Sequence, residues 1–334
     1  MIININIKDI NLRGRLPEMK KFLLPLLVLT VFALSACGNN TSTNSSANSS
    51  TSDVSTNSAN SSSDTITYQS ENGPIEVPAH PQRVVVLSGY AGNLLALGVP
   101  LAGADSWTKN NPNFQDRLKD VPEVSEENVE SILNAKPDLI IAGSDIKNAD
   151  KLKQIAPLVT YTYNNVDYLT QVLEIGKAVN QEQKAADWIA DFKERAQKAG
   201  EEIKAKIGAD STISIIEGDS KALYTFGDAW GRGTEIIYQA MGLKMPDKVK
   251  EMTAKEGYYD LSLEVLPDYM GDYVIYSKDP ASDASFQQTD TYKNIPAVKN
   301  GRVFEVDATG FYFNDADSLD YQLDFITKSL LGSK

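Results

Sequence analysis

Apolar positions in this chain fall into short continuous runs separated by longer stretches of helical spacing. Residues 83–87 (RVVVL) are a β-branched run, 89–98 (GYAGNLLALG) read as a helix, and 101–105 return to a strand. A helix at 129–133, then Pro137, precedes the strand 139–142 (LIIA), and 159–161 (VTY) closes the first half. Continuous apolar runs alternating with helices belong to parallel sheets, whose strands are buried on both faces. From 166 to 207 the pattern changes. Tyr168, Val172, Ile175, Val179, Trp188, Ile189 and Phe192 recur at helical spacing among Lys, Glu, Gln and Ala, and the only glycines are Gly176 and Gly200. Unbroken, such a helix would run about 60 Å; Asn180-Gln181-Glu182 is its candidate break. The second half repeats the first in outline. Strands are expected at 212–217 (TISIIE), 221–226, 273–276 (YVIY) and 303–306 (VFEV), with helices at 233–241 and 319–331 and a turn at 263–266. The expected fold is α/β: two lobes joined by a single long backbone helix, with a ligand cleft between the lobes.

The region before 65 does not share this pattern. Lys20 and Lys21 precede an apolar run at 22–36 that is too short to span a bilayer. The run ends in Leu34-Ser35-Ala36-Cys37-Gly38, a lipobox pattern, so 19–36 reads as a lipoprotein signal peptide and Cys37 as the lipidated residue. Cys37 is also the only cysteine, so no disulfide supports the fold. Residues 1–18 carry no signal feature and read as a start-site artefact ahead of Met19. Residues 37–64 are Ser, Thr, Asn and Ala with almost nothing apolar, a composition that cannot offset its own chain entropy, and read as a tether. The expected location is the extracellular face of the cell membrane, lipid-anchored. Beyond the tether, 65–165 is the first α/β lobe, 166–208 the connecting helix and 209–334 the second lobe.

The formal charge of −13 argues against nucleic acid or an anionic membrane surface as partner. His80 is the sole histidine, which leaves no ordinary zinc or copper site. There is no nucleophile elbow, and the glycine-rich stretch Gly227-Asp228-Ala229-Trp230-Gly231-Arg232-Gly233 lacks the Lys-Ser/Thr ending of a phosphate loop. The chain reads as a binder, a monomer, and not an enzyme.

Particular segments narrow this. Pro81-Gln82-Arg83-Val84-Val85-Val86, Asn128-Val129-Glu130-Ser131-Ile132-Leu133 and Lys136-Pro137-Asp138-Leu139-Ile140 resemble the first lobe of the class III substrate-binding proteins of ABC importers. With the lipobox and tether, the resemblance covers essentially all of 65–332. Tyr224-Thr225-Phe226-Gly227-Asp228-Ala229-Trp230-Gly231-Arg232-Gly233, Ala240-Met241-Gly242-Leu243 and the run from Val306 to Asp315 are similar to the iron(III)-hydroxamate branch of Gram-positive bacteria. The resemblance implies two Rossmann-like lobes, no cofactor, and a ferric siderophore of ferrichrome or ferrioxamine type as ligand. It places Tyr224, Trp230, Arg232 and Tyr312 on the cleft, and makes Glu130 and Glu264 the carboxylates that meet arginines of the permease. The partners implied are that permease, its ATPase and the membrane through the lipid.

The chemistry is consistent with that. Three hydroxamates of charge −1 around Fe(III) leave a neutral core, which suits rigid aromatic walls and one planar fork of donors. The siderophore holds the iron, so no protein ligand to metal is expected. Of the five arginines after Cys37 — Arg83, Arg117, Arg195, Arg232 and Arg302 — Arg232 is the leading clamp. From the first lobe, Tyr90 and Trp107 follow strand C-termini, where ligands sit in open α/β sheets. A catecholate siderophore or another iron chelate is the alternative ligand, with Lys109 as a further cation; haem is disfavoured. A lipid-anchored surface adhesin is the reading of a different class.

Overall fold

The structure is a computed structural model that describes residues 64–332; Cys37, the signal peptide and nearly all of the tether lie outside the described residues. It begins with an antiparallel hairpin, β1 (Thr65–Ser70) and β2 (Gly73–Pro78). The first lobe follows as β3 (Val84–Val86), α1 (Ala91–Ala96), β4 (Leu101–Ala104), α2 (Ser106–Asn110), α3 (Gln115–Leu118), α4 (Val129–Ala135), β5 (Leu139–Gly143), α5 (Ala149–Leu152) and β6 (Leu158–Tyr161). Its strands form a parallel sheet in the order β4-β3-β5-β6. Every residue of β3, β5 and β6 is buried, which is why their sequences are apolar without alternation.

The segment expected to be one helix divides in two: α6 (Tyr168–Ala178) and α7 (Glu182–Ile207). The break is Asn180, which takes φ 55°, a left-handed conformation that Asn tolerates better than most residues. Its side-chain amide donates to the Ala79 carbonyl (3.1 Å), while the Gln181 N–H donates back to Gly176 (2.7 Å). The long bridging helix is therefore α7 alone, 26 residues and about 39 Å. Its Ala185 belongs to the first lobe's core; Phe192, Ala196, Ala199 and Ile203 belong to the second's.

The second lobe comprises β7 (Ile213–Gly218), β8 (Leu223–Phe226), a π-helix (Glu235–Ala240), α8 (Asp247–Thr253), β9 (Tyr258–Leu261), β10 (Tyr273–Lys278), α9 (Asp290–Lys293), α10 (Pro296–Lys299), β11 (Val303–Asp307), α11 (Ala308–Phe311) and α12 (Ala316–Gly332). Its sheet runs β11-β10-β7-β8-β9. β11, β10 and β7 pair in parallel, whereas β8 is reversed and pairs antiparallel with both β7 and β9, so this lobe is not a copy of the first. The turn at 219–222 is too short for a parallel return, which needs a crossover.

At the base of the lobes, α12 belongs to both cores. Ala316 packs in the first and Leu319, Leu323, Ile326 and Leu330 in the second. The Ala316 N–H donates to the Asn93 side chain (2.8 Å), Asn113 donates to the Gly310 carbonyl (2.9 Å), and Arg117 pairs with Asp317.

Candidate functional site

The cleft's second-lobe wall is built on a stretch of backbone that few sequences can adopt. Gly231, Arg232 and Gly233 all have positive φ (69°, 59° and 83°), immediately before the π-helix. Gly231 is required twice: for its φ, and because a Cβ there would overlap the Tyr312 carbonyl oxygen. A left-handed arginine costs about 1–2 kcal/mol, which the surroundings must offset. They do so through Glu235. This buried carboxylate accepts from the Gly231 N–H (3.0 Å), the Thr234 hydroxyl (2.8 Å) and the Asn314 amide (3.0 Å), and the Trp230 N–H donates to Thr234 Oγ1 (3.0 Å).

So held, the Arg232 guanidinium is an ion pair. Nε and Nη2 donate to the Glu217 carboxylate at 3.0–3.1 Å, and Nη1 donates to the Trp230 carbonyl at 3.1 Å. The guanidinium lies 4.8 Å from the Phe226 ring centroid and 5.0 Å from that of Tyr312. Burial works against its charge, but Glu217 more than offsets this and raises its pKa. Three of the five guanidinium N–H groups are taken, leaving one on each Nη. A fifth of the Arg232 side chain stays open to solvent. Arg232, expected as the leading clamp, thus already holds Glu217 and the Trp230 carbonyl as partners. Tyr312 is pushed up to about 12, by burial first and the Glu217 charge next, so it stays a neutral phenol.

Trp230 leads a separate aromatic cluster. Its ring is 5.2 Å from Tyr258 and 6.5 Å, edge-on, from Tyr163 of the first lobe; Tyr224 is 6.4 Å from Tyr258. The Trp230 carbonyl links the two groups through Arg232.

The first-lobe residues behave differently from one another. Trp107 on α2 is half exposed and its ring lies 4.5 Å from Phe313, across the lobe boundary. Tyr90 is more committed to packing: it sits 5.5 Å from Tyr161 and donates its hydroxyl to the Tyr161 carbonyl (3.3 Å). Burial, and then Asp145, raises its pKa. Three residues at the cleft were not expected from sequence. Tyr163 is 60% exposed, two residues beyond β6, where a strand end is the only sequence signal. Glu217 is the penultimate residue of β7, and Tyr258 opens β9, a strand the apolar pattern does not mark.

A cavity of about 730 Å³ is lined by Asn164, Asp228, Trp230, Lys250 and Gly257 among others, so it adjoins Trp230 but Arg232 and Tyr312 are not part of its lining. Glu130, in the first turn of α4, and Glu264 are both exposed, and neither forms an ion pair among the described residues.

The family model for periplasmic binding proteins matches residues 84–309. The chain is similar to the iron(3+)-hydroxamate-binding protein FhuD of Bacillus subtilis, 38% identical over 313 residues that cover 91% of this chain and 95% of the relative. Among solved structures it is similar to FhuD2 from Staphylococcus aureus with bound ferrioxamine B: TM-score 0.72, 35% identity, 76% of this chain and 99% of that one. It is also similar to a Bacillus subtilis FhuD-fold periplasmic binding protein component of a ferrichrome ABC transporter: TM-score 0.73, 38% identity, 79% and 99%.

Proposed function

This chain belongs to the periplasmic binding protein family, and from that premise we propose that it captures iron(III)-hydroxamate siderophores for an ABC importer. The observation that carries the proposal is the Arg232 site: a charge-neutral ion pair with two spare N–H donors, flanked by Tyr312 and joined through Trp230 to an aromatic wall. A ferric tris-hydroxamate is neutral at its core and presents oxygens and apolar chain to its surroundings. It needs donors and flat apolar surface, not converging cations. Its iron already has six oxygen ligands, so the protein supplies none. In this reading Tyr224, Trp230, Arg232 and Tyr312 contact the siderophore from the second lobe, and Tyr90, Trp107 and Tyr163 from the first. A tris-catecholate, about −3 in charge, fits a neutral pair poorly, and a cleft of this kind serves no adhesin.

Glu130 and Glu264 are proposed to meet arginines of the permease, one carboxylate per lobe, setting register and on-rate. Cys37 is the proposed lipid attachment, holding the protein at the extracellular face of the membrane, a reading supported by similarity to a probable siderophore-binding lipoprotein of Bacillus subtilis, 33% identical over 320 residues.

Intrinsic tryptophan fluorescence tests the ligand. Ferrichrome and ferrioxamine B should each quench it saturably, a ferric catecholate should not, and Trp230→Phe should reduce the quench, with Trp107 supplying the remainder. Absence of quenching by both hydroxamates would overturn the proposal.

A further inference from the structure

Glu217 occupies an unexpected position for a site that receives a ring of hydroxamate oxygens. It stands at the C-terminal end of β7, opposite Tyr224 on β8 and Ser277 on β10, so its backbone is fixed from both sides. Its carboxylate accepts from Arg232 at Nε and Nη2 and from the Ser277 hydroxyl (2.8 Å). Only 14% of its side chain is exposed. A carboxylate repels ligand oxygens, and the site would hold more free donors without it. What it does supply is charge balance. At Tyr312 the Arg232 cation is felt and Glu217, bonded to it through Nε and Nη2, stands against it.

We infer that Glu217 is a specificity-determining residue: by cancelling the Arg232 charge it makes the cleft select neutral and cationic ferric complexes over multiply anionic ones. This rests on the function proposed above. A lone arginine at contact distance, in surroundings of effective dielectric about 20, would favour an anionic ligand by more than about tenfold per unit of charge. With the carboxylate bonded side-on to it, that advantage is removed while the two outward N–H donors remain.

The test is the ratio of affinities of the full chain for three complexes: ferrichrome (neutral), ferrioxamine B (cationic through its pendant amine) and a ferric tris-catecholate (trianionic). Wild type should bind the first two and reject the third. Glu217→Gln should raise catecholate affinity relative to ferrichrome by at least about tenfold, and Glu217→Asp, which keeps the charge, should leave the ratio as in wild type even if every affinity falls. Glu217→Gln/Arg232→Gln, in which two amides replace two charges, should also keep the wild-type ratio and serves if the single variant does not fold. Equal weakening of all three complexes by E217Q and E217D would show a purely positioning role and overturn the inference, as would a tenfold shift in the double variant. Failure of wild type to bind either hydroxamate would overturn the proposed function itself, and this inference with it.

Discussion

Asp315 is the buried acid that the binding chemistry does not use. Its Oδ1 accepts the Ser318 N–H (2.8 Å), while Oδ2 is buried without a hydrogen-bond partner among the described residues. Burial pushes its pKa up to about 7, against the opposing pull of the Ser318 N–H. The folded protein thus keeps this proton until about pH 7, whereas the unfolded chain releases it near pH 4. Stability from this group is present below pH 4, falls as pH rises to about 7, and is flat above that. Asp315→Asn keeps the acceptor and cannot ionise. It should flatten the decline and, at pH 8, gain on the order of 2–4 kcal/mol over wild type in thermal or denaturant unfolding. A variant that declines in parallel with wild type would refute the assignment. Nothing in the sequence marks Asp315 as special, because burial is set by α12 meeting the first lobe. Trp230, Arg232 and Tyr312 could be proposed from sequence because they stand in distinctive segments, and the fold brings Arg232 against Tyr312. Glu217 was not: Ile-Ile-Glu-Gly reads as any strand running out into solvent, and its partner lies 15 residues away.

Among the elements, α7 shows packing overriding helix propensity. Gly200 sits in the middle of this helix, where Ala would ordinarily be better by about 1 kcal/mol. Here a Cβ would overlap the backbone carbonyl of Met241, just past the π-helix. Gly200→Ala should therefore destabilise, by about 1–3 kcal/mol net, read as a lower denaturant midpoint with unchanged slope. The buried strands β3, β5, β7 and β10 were readable as apolar runs, since burial on both faces leaves little other choice of residue. The hairpin of β1 and β2 was not, because most of its positions are exposed or half-exposed and its composition blends into the polar tether. The antiparallel course of β8 follows from the length of one turn, and the split of α6 from α7 from one left-handed asparagine. The first is not a periodic signal, whereas the second falls where Asn180-Gln181-Glu182 marked a candidate break in the sequence.

For the whole molecule, the two exposed glutamates make a prediction that separates binding from delivery. Glu130→Gln/Glu264→Gln should leave siderophore affinity within about twofold, since neither carboxylate approaches the cleft groups, and should abolish uptake in cells. Each single variant should show intermediate uptake that worsens with salt. Loss of siderophore affinity in the double variant would count against docking. The division into two lobes was legible from the order of runs and helices, but how the lobes join was not, because it depends on pairings such as Asn93 with Ala316, 223 positions apart. That pairing bears on how the chain comes to be folded. The core around Leu94 is closed by Ala316, from the last helix described. A growing or truncated chain that stops short of α12 has every strand of its first lobe and still lacks one side of that lobe's interior. The first lobe to be made is then among the last to be finished, and a fragment ending between the lobes should not fold unaided.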